Sequence, residues 1–129
     1  NIMKIHQEVS YPVAPEAIYE LLTNGAKFGA VTGQPGKGGG APGAMFSLFN
    51  EWVEGRQIEL VPNERVVQAW RFRDWAAGVN SIVRFTLNRE ESGTRLVVDH
   101  EAYPEAMHEH LSTNWSPFYF DAFARHFAA

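Results

Sequence analysis

The chain has 129 residues and no cysteine. Disulfide scaffolds, iron–sulfur clusters, thiol nucleophiles and cysteine zinc sites are therefore excluded, and the composition fits a reducing cytoplasm, the location expected here. Long apolar runs are also missing. Nothing approaches the ~20 residues that a membrane-crossing helix needs, and no secretory leader is visible, so membrane insertion is not expected. Met3 reads as a natural start preceded by two added residues. There is no cluster of Lys or Arg. Eleven basic residues against fifteen acidic ones give a formal net charge of −4, which argues against a nucleic-acid partner.

Metal and nucleotide motifs fail in detail. His108-Glu109-His110, near Glu105, lacks the i, i+4 spacing that puts two imidazoles on one helix face, so a solvated helix end is expected and no metal. Around Gly36-Lys37, Val31 and Gly38 stand where a phosphate-binding loop has its first Gly and its Ser or Thr. No cofactor is expected. No carboxylate pair or Ser-His-Asp arrangement can be traced.

What the chain does have is an ordinary globular composition, 45% hydrophobic and 20% charged, with an aromatic content of 13%. Its length suits one domain over residues 1–129 with one real core. Residues 2–11 alternate apolar and polar, as a half-buried strand does. Pro15 and Glu16 suit the first turn of a short helix over 15–23, closed by Asn24-Gly25. Residues 27–31 read as a further helical turn anchored by Phe28. Residues 33–43 hold six glycines and read as a flexible loop or flap. The period then becomes two, giving strands over 44–50, 52–61, 65–73, 81–89 and 94–103. Short turns join them, which makes an antiparallel meander. Beyond Pro104 the chain reads as helix, clearest from about 112–116, with Pro117 in its first turn. Leu111, Trp115, Phe118, Tyr119, Ala122, Phe123 and His126 share its broad face.

This order is similar to that of the helix-grip (SRPBCC, START-like or Bet v 1-like) superfamily. Five segments resemble the family of activator of heat-shock protein 90 ATPase homologues: Val13-Ala14-Pro15-Glu16 with Ile18-Tyr19; Gly43-Ala44-Met45-Phe46; Glu59 to Val67 followed by Trp70; Gly93 to His100; and Asn114-Trp115. Asn114 replaces a usual Gly, the Trp expected after the first helix is absent with Phe28 nearby, and the glycine loop is richer than usual. The resemblance implies an α+β helix-grip fold: a curved antiparallel sheet of about six strands around a long C-terminal helix, with two short helices after the first strand. The eukaryotic cochaperone of this family joins such a domain to a separate N-terminal one, for which this chain has no room, so stimulation of the chaperone ATPase is not implied.

In that fold Phe28, Phe46, Leu48, Trp70, Phe72, Phe85, His100, Trp115, Phe118 and Tyr119 are the candidate ligand-binding residues. The same side chains serve equally well as a closed core, and the sequence leaves both uses open. His100 shares the apolar face of Leu96 and Val98. It is the one weak candidate for acid/base chemistry of a cyclase or hydratase type, against the blander role of a hydrogen-bonded core histidine. The leading expectation is a non-enzymatic domain holding a small apolar or amphipathic ligand, with the glycine loop gating entry. The alternative is a chaperone- or stress-related interaction module or homodimer that uses exposed Trp52 and Trp75.

Overall fold

The structure, a computed structural model, describes residues 3–128. Its strands are β1 (Lys4–Tyr11), β2 (Lys37–Gly38), β3 (Met45–Leu48), β4 (Val53–Val61), β5 (Arg65–Phe72), β6 (Ser81–Glu90) and β7 (Gly93–Glu101). They form one antiparallel sheet in the order β1-β7-β6-β5-β4-β3-β2. The expected meander is present, and β2 is the strand that composition hides inside the glycine-rich segment. The first strand leaves the meander to pair with the last, Ile5 opposite His100 and Tyr11 opposite Thr94.

Helix α1 (Pro15–Thr23) starts on its proline as expected, with Ile18, Leu21 and Leu22 turned to the core. Helix α2 (Gly25–Thr32) extends beyond the turn anticipated around Phe28. The Asn24 side chain accepts the Lys27 N–H at its start, and Gly33, at φ 84°, closes it. The following loop is seated closely against α2. A Cβ on Gly25 would lie 2.3 Å from the Lys37 carbonyl carbon, and one on Gly29 would lie 2.7 Å from the Gly36 nitrogen. Backbone bonds from Gly39 to Met45, Gly43 to Gln57 and Asn50 to Pro35 hold the segment to its neighbours. Glycine serves close approach here.

The C-terminal helix begins earlier than the sequence suggests. A 3₁₀ turn (Glu105–Met107) leads into α3 (His108–Trp115), a π-helical turn (Ser116–Phe120) and α4 (Asp121–Ala128). Pro117 is therefore in the interior, not in the first turn. Proline has no N–H to give and crowds the carbonyl four residues back. The helix widens at that point, and the Asp121 N–H reaches five residues back to the Ser116 carbonyl. The Tyr11 hydroxyl, buried on β1, donates to the Phe120 carbonyl at 2.8 Å and ties this turn to the sheet.

The sheet's concave face and the helices enclose the core. Val66, Val83, Phe85, Leu96, Val98 and Phe123 have no accessible surface. Two amides join them: Gln57 and Gln68, 1% and 3% exposed, both donate to the Leu22 carbonyl near the end of α1. They terminate a helix from within the sheet, satisfying a carbonyl that α1 itself leaves free. Among the described residues no helix is long and apolar enough to cross a membrane.

Candidate functional site

One end of the sheet is not closed by the helix. There a cleft of about 640 Å³ opens between α3 with its π turn, the end of β5, and the β3–β4 turn. That size suits a drug-sized molecule, for which pockets run from about 300 to 1,000 Å³. The helix contributes His110, Leu111, Asn114, Trp115, Phe118 and Tyr119, and Met107 precedes them. Strand β5 and the residues after it contribute Trp70, Phe72 and Asp74; Phe49, Trp52, Val53 and Gln34 complete the wall.

Local sequence explains how these side chains meet. Gly55 lies opposite Trp70 in the β4–β5 register, and a Cβ on it would lie 2.8 Å from the Trp70 Cβ. The missing side chain leaves room for the indole. The π turn keeps Trp115 and Tyr119 on the inner face, their ring centroids 4.5 Å apart. Phe118 projects outward and is 46% exposed. Phe49, Asn50 and Glu51 are three successive residues at positive φ, 54°, 54° and 70°. Such left-handed conformations are costly for side chains without a glycine's freedom. They set the Phe49 ring against Phe118 and Tyr119, at 5.8 Å from each.

Of the ten residues nominated from sequence, Trp70, Phe72, Trp115, Phe118 and Tyr119 line this cleft. Phe28, Phe46 and Leu48 do not. With Gln57 and Gln68 they surround a separate space of about 10 Å³ on the far side of Tyr119, roughly the room one water needs. Phe85 and His100 line neither space and belong to the closed core. The inward parity of His100 is as expected, but β7 lies near the closed end of the sheet, and Trp70 and Trp115 stand over the imidazole at 4.7 and 5.6 Å.

The chemistry of His100 follows from that enclosure. The Ser81 hydroxyl donates to the Trp70 carbonyl at 2.9 Å. Its oxygen therefore accepts from His100 Nε2–H, also at 2.9 Å, which assigns the proton to Nε2. Burial pushes the imidazole down to about 3, so it is neutral. Among the described residues Nδ1 has no hydrogen-bond partner, and neither do the indole nitrogens of Trp70, Trp75 and Trp115. The Tyr119 phenol is raised by burial and stays protonated.

Of the nine lining residues that sequence reading does not nominate, Gln34, Phe49, Trp52 and Asp74 lie on turns or loops, Val53 opens β4, and Met107, His110, Leu111 and Asn114 belong to the first turns of the C-terminal helix. Gln34 and Asp74 lie in loops, where period carries no information; Phe49 falls in the strand expected over 44–50 but stands on the turn after β3, and Trp52 is expected on an outer surface. Trp52 is indeed 46% exposed, at the cleft mouth, with the Arg73 guanidinium 4.2 Å above its ring. Trp75 is buried and stacks on Trp70 at 6.2 Å, so it does not present the free surface expected of it. Among the described residues no group of three or more His, Asp or Glu is placed to hold a metal ion.

Comparison with known proteins supplies the context for this geometry. The model of the family described as Activator of Hsp90 ATPase homolog 1-like protein matches residues 12–128. Activator of 90 kDa heat shock protein ATPase homolog 1 from Homo sapiens is 25% identical over 124 residues, covering 96% of this chain and 37% of that protein. The chain thus spans little more than a third of the length of that curated relative. Among solved structures, an HSP90 activator from Plasmodium falciparum superposes with a TM-score of 0.86 at 23% identity, over 92% of this chain and 91% of that one. An Aha1 dimer from Colwellia psychrerythraea gives a TM-score of 0.80 at 21% identity, over 93% and 92%.

Proposed function

The chain belongs to the Activator of Hsp90 ATPase homolog 1-like family, and from that premise we propose that residues 1–129 act as a single helix-grip domain that holds a small apolar or amphipathic molecule in its cleft. The observation that carries this reading is the cleft itself, about 640 Å³ walled by Trp52, Trp70, Phe72, Trp115, Phe118 and Tyr119. Binding there is driven by apolar area removed from water, at about 25 cal/mol per Å² before the costs of association. His100 takes no part in this reading except as the packed and neutral floor behind Trp70 and Trp115. The test is organic extraction of the purified protein followed by mass spectrometry, with a titration by the neutral dye Nile red. Saturable dye binding that weakens at least tenfold in Trp115→Ala, with the fold retained by circular dichroism, supports the reading. Absence of saturable binding overturns it.

A second reading is favoured by the names of the relatives and by two large side chains left in solvent. Here the domain docks on a chaperone of the Hsp90 type in the cytoplasm, and Trp52 and Phe118 at the cleft mouth form part of the contact. Exposed aromatics at a concave site are common anchors of protein interfaces. Purified Hsp90 immobilised on a sensor decides it: binding lost in the Trp52→Ala, Phe118→Ala double variant is expected. A dissociation constant unchanged by that substitution removes these residues from the interface.

A further inference from the structure

The charge pattern of the cleft narrows the class of molecule it takes, an inference that rests on the ligand-binding reading above. Among the described residues Asp74 is the one carboxylate in the wall, and no Lys or Arg lines it. Asp74 is exposed and forms no ion pair among the described residues. Gln34 and Asn114 are neutral. His110 stands edge-on to Phe72 at 5.7 Å, with its Nδ1 3.3 Å from the Asn114 side-chain nitrogen. The rest of the mouth is aromatic. Faces of indole and phenyl rings carry negative electrostatic potential and attract cations. The mouth already shows this affinity, since Trp52 holds the Arg73 guanidinium against its ring.

The geometry points to a small molecule with an apolar aromatic body and an amine or quaternary ammonium head. The body lies against Phe72 and the cleft-facing edges of Trp70 and Trp115, and the head rests at the mouth, near Asp74 and the exposed Phe118 ring. A carboxylate head would meet the Asp74 charge and the ring faces there, with no Lys or Arg in the wall to neutralise it. Arg73, held against Trp52 at the mouth, is the competitor for an anion. It lies outside the lining and is already engaged by Trp52, so its role is separable by substitution.

Three probes of nearly equal shape test the proposal at pH 7.5: 1-naphthylmethylamine, 1-naphthalenemethanol and 1-naphthylacetate, titrated by calorimetry or by the indole N–H signals of the four tryptophans. The amine is expected to bind about five- to tenfold more tightly than the alcohol, and the carboxylate more weakly than either. Asp74→Asn is expected to bring the amine to within about twofold of the alcohol. Carboxylate binding equal to or tighter than that of the amine overturns the charge preference, and its loss in Arg73→Gln would assign the head group to Arg73 instead. An amine preference untouched by Asp74→Asn likewise overturns it. In these cases the ligand-binding reading stands on the alcohol. If none of the three binds, that reading falls, and the charge preference with it.

Discussion

His100 shows how much a single buried side chain dictates. Burial lowers its pKa from 6.5 to about 3, so between those values the unfolded chain binds a proton that the folded chain refuses. Stability must then fall as pH falls from 6.5 toward 3, by up to about 1.4 kcal/mol per pH unit. Urea unfolding at pH 6.5 and pH 5 is expected to show a loss of about 1.6 kcal/mol that His100→Phe, which keeps a ring in the space, largely removes. His6 works in the opposite sense. Its hydrogen bonds to Asp99 and then Glu8 raise it, so its contribution is complete below 6.5 and is lost as pH rises through the folded value. Tyr11 offers a second test at this scale. Tyr11→Phe removes the hydrogen bond that ties the Phe120 carbonyl to the sheet and is expected to cost about 0.5–1.5 kcal/mol in denaturant unfolding. The inward face of His100 was legible from its parity with Leu96 and Val98. That the imidazole ends up behind the cleft was not, because parity fixes the side of a sheet and not the distance along it to the open end.

At the scale of elements, alternation marks out six of the seven strands, and Pro15 announces α1. The errors have physical sources. Proline usually marks a helix's first turn, and at Pro117 that preference pointed to a start, whereas a widened turn accommodates the ring mid-helix. Two-residue β2 has no period to detect. The β3–β4 turn carries no glycine at all, yet Phe49, Asn50 and Glu51 are left-handed there, so neither its shape nor its place in the wall was readable. That strain is testable. Glu51→Gly frees one of the three positions and is expected to raise stability by about 0.5–1 kcal/mol in thermal or urea unfolding. Gly55→Ala is expected to do the reverse. Its new methyl would meet the Ala69 carbonyl oxygen at 2.3 Å and the Phe46 ring at 2.6 Å, and overpacking of this kind costs about 1–3 kcal/mol. A shift of the Trp70 fluorescence maximum would accompany it.

For the molecule as a whole, closed core and open cleft share one set of aromatic side chains, and composition alone could not apportion them. Trp115 belongs to both, touching Phe85 and His100 on one side and the cleft on the other. Trp115→Ala is therefore expected to lose about 3–5 kcal/mol of stability as well as the binding site. In the unaltered protein, a cleft ligand at a hundredfold excess over its dissociation constant is expected to add about 2.7 kcal/mol to the unfolding free energy, read as a rise in Tm that the Trp115 variant lacks.

The pairing of β1 with β7 has a consequence for how the protein is made. Lys4 finds its partner at Glu101 and Tyr11 at Thr94, so the first strand waits for almost ninety residues of further synthesis, and the aromatic face that covers it, through Phe123, emerges later still. At about 5–20 residues per second the nascent chain spends several seconds with an unsealed sheet outside the ribosome. Unpaired strand edges and apolar surface are exposed throughout that interval, and synonymous changes that slow translation between β1 and β7 would lengthen it without altering one atom of the finished fold.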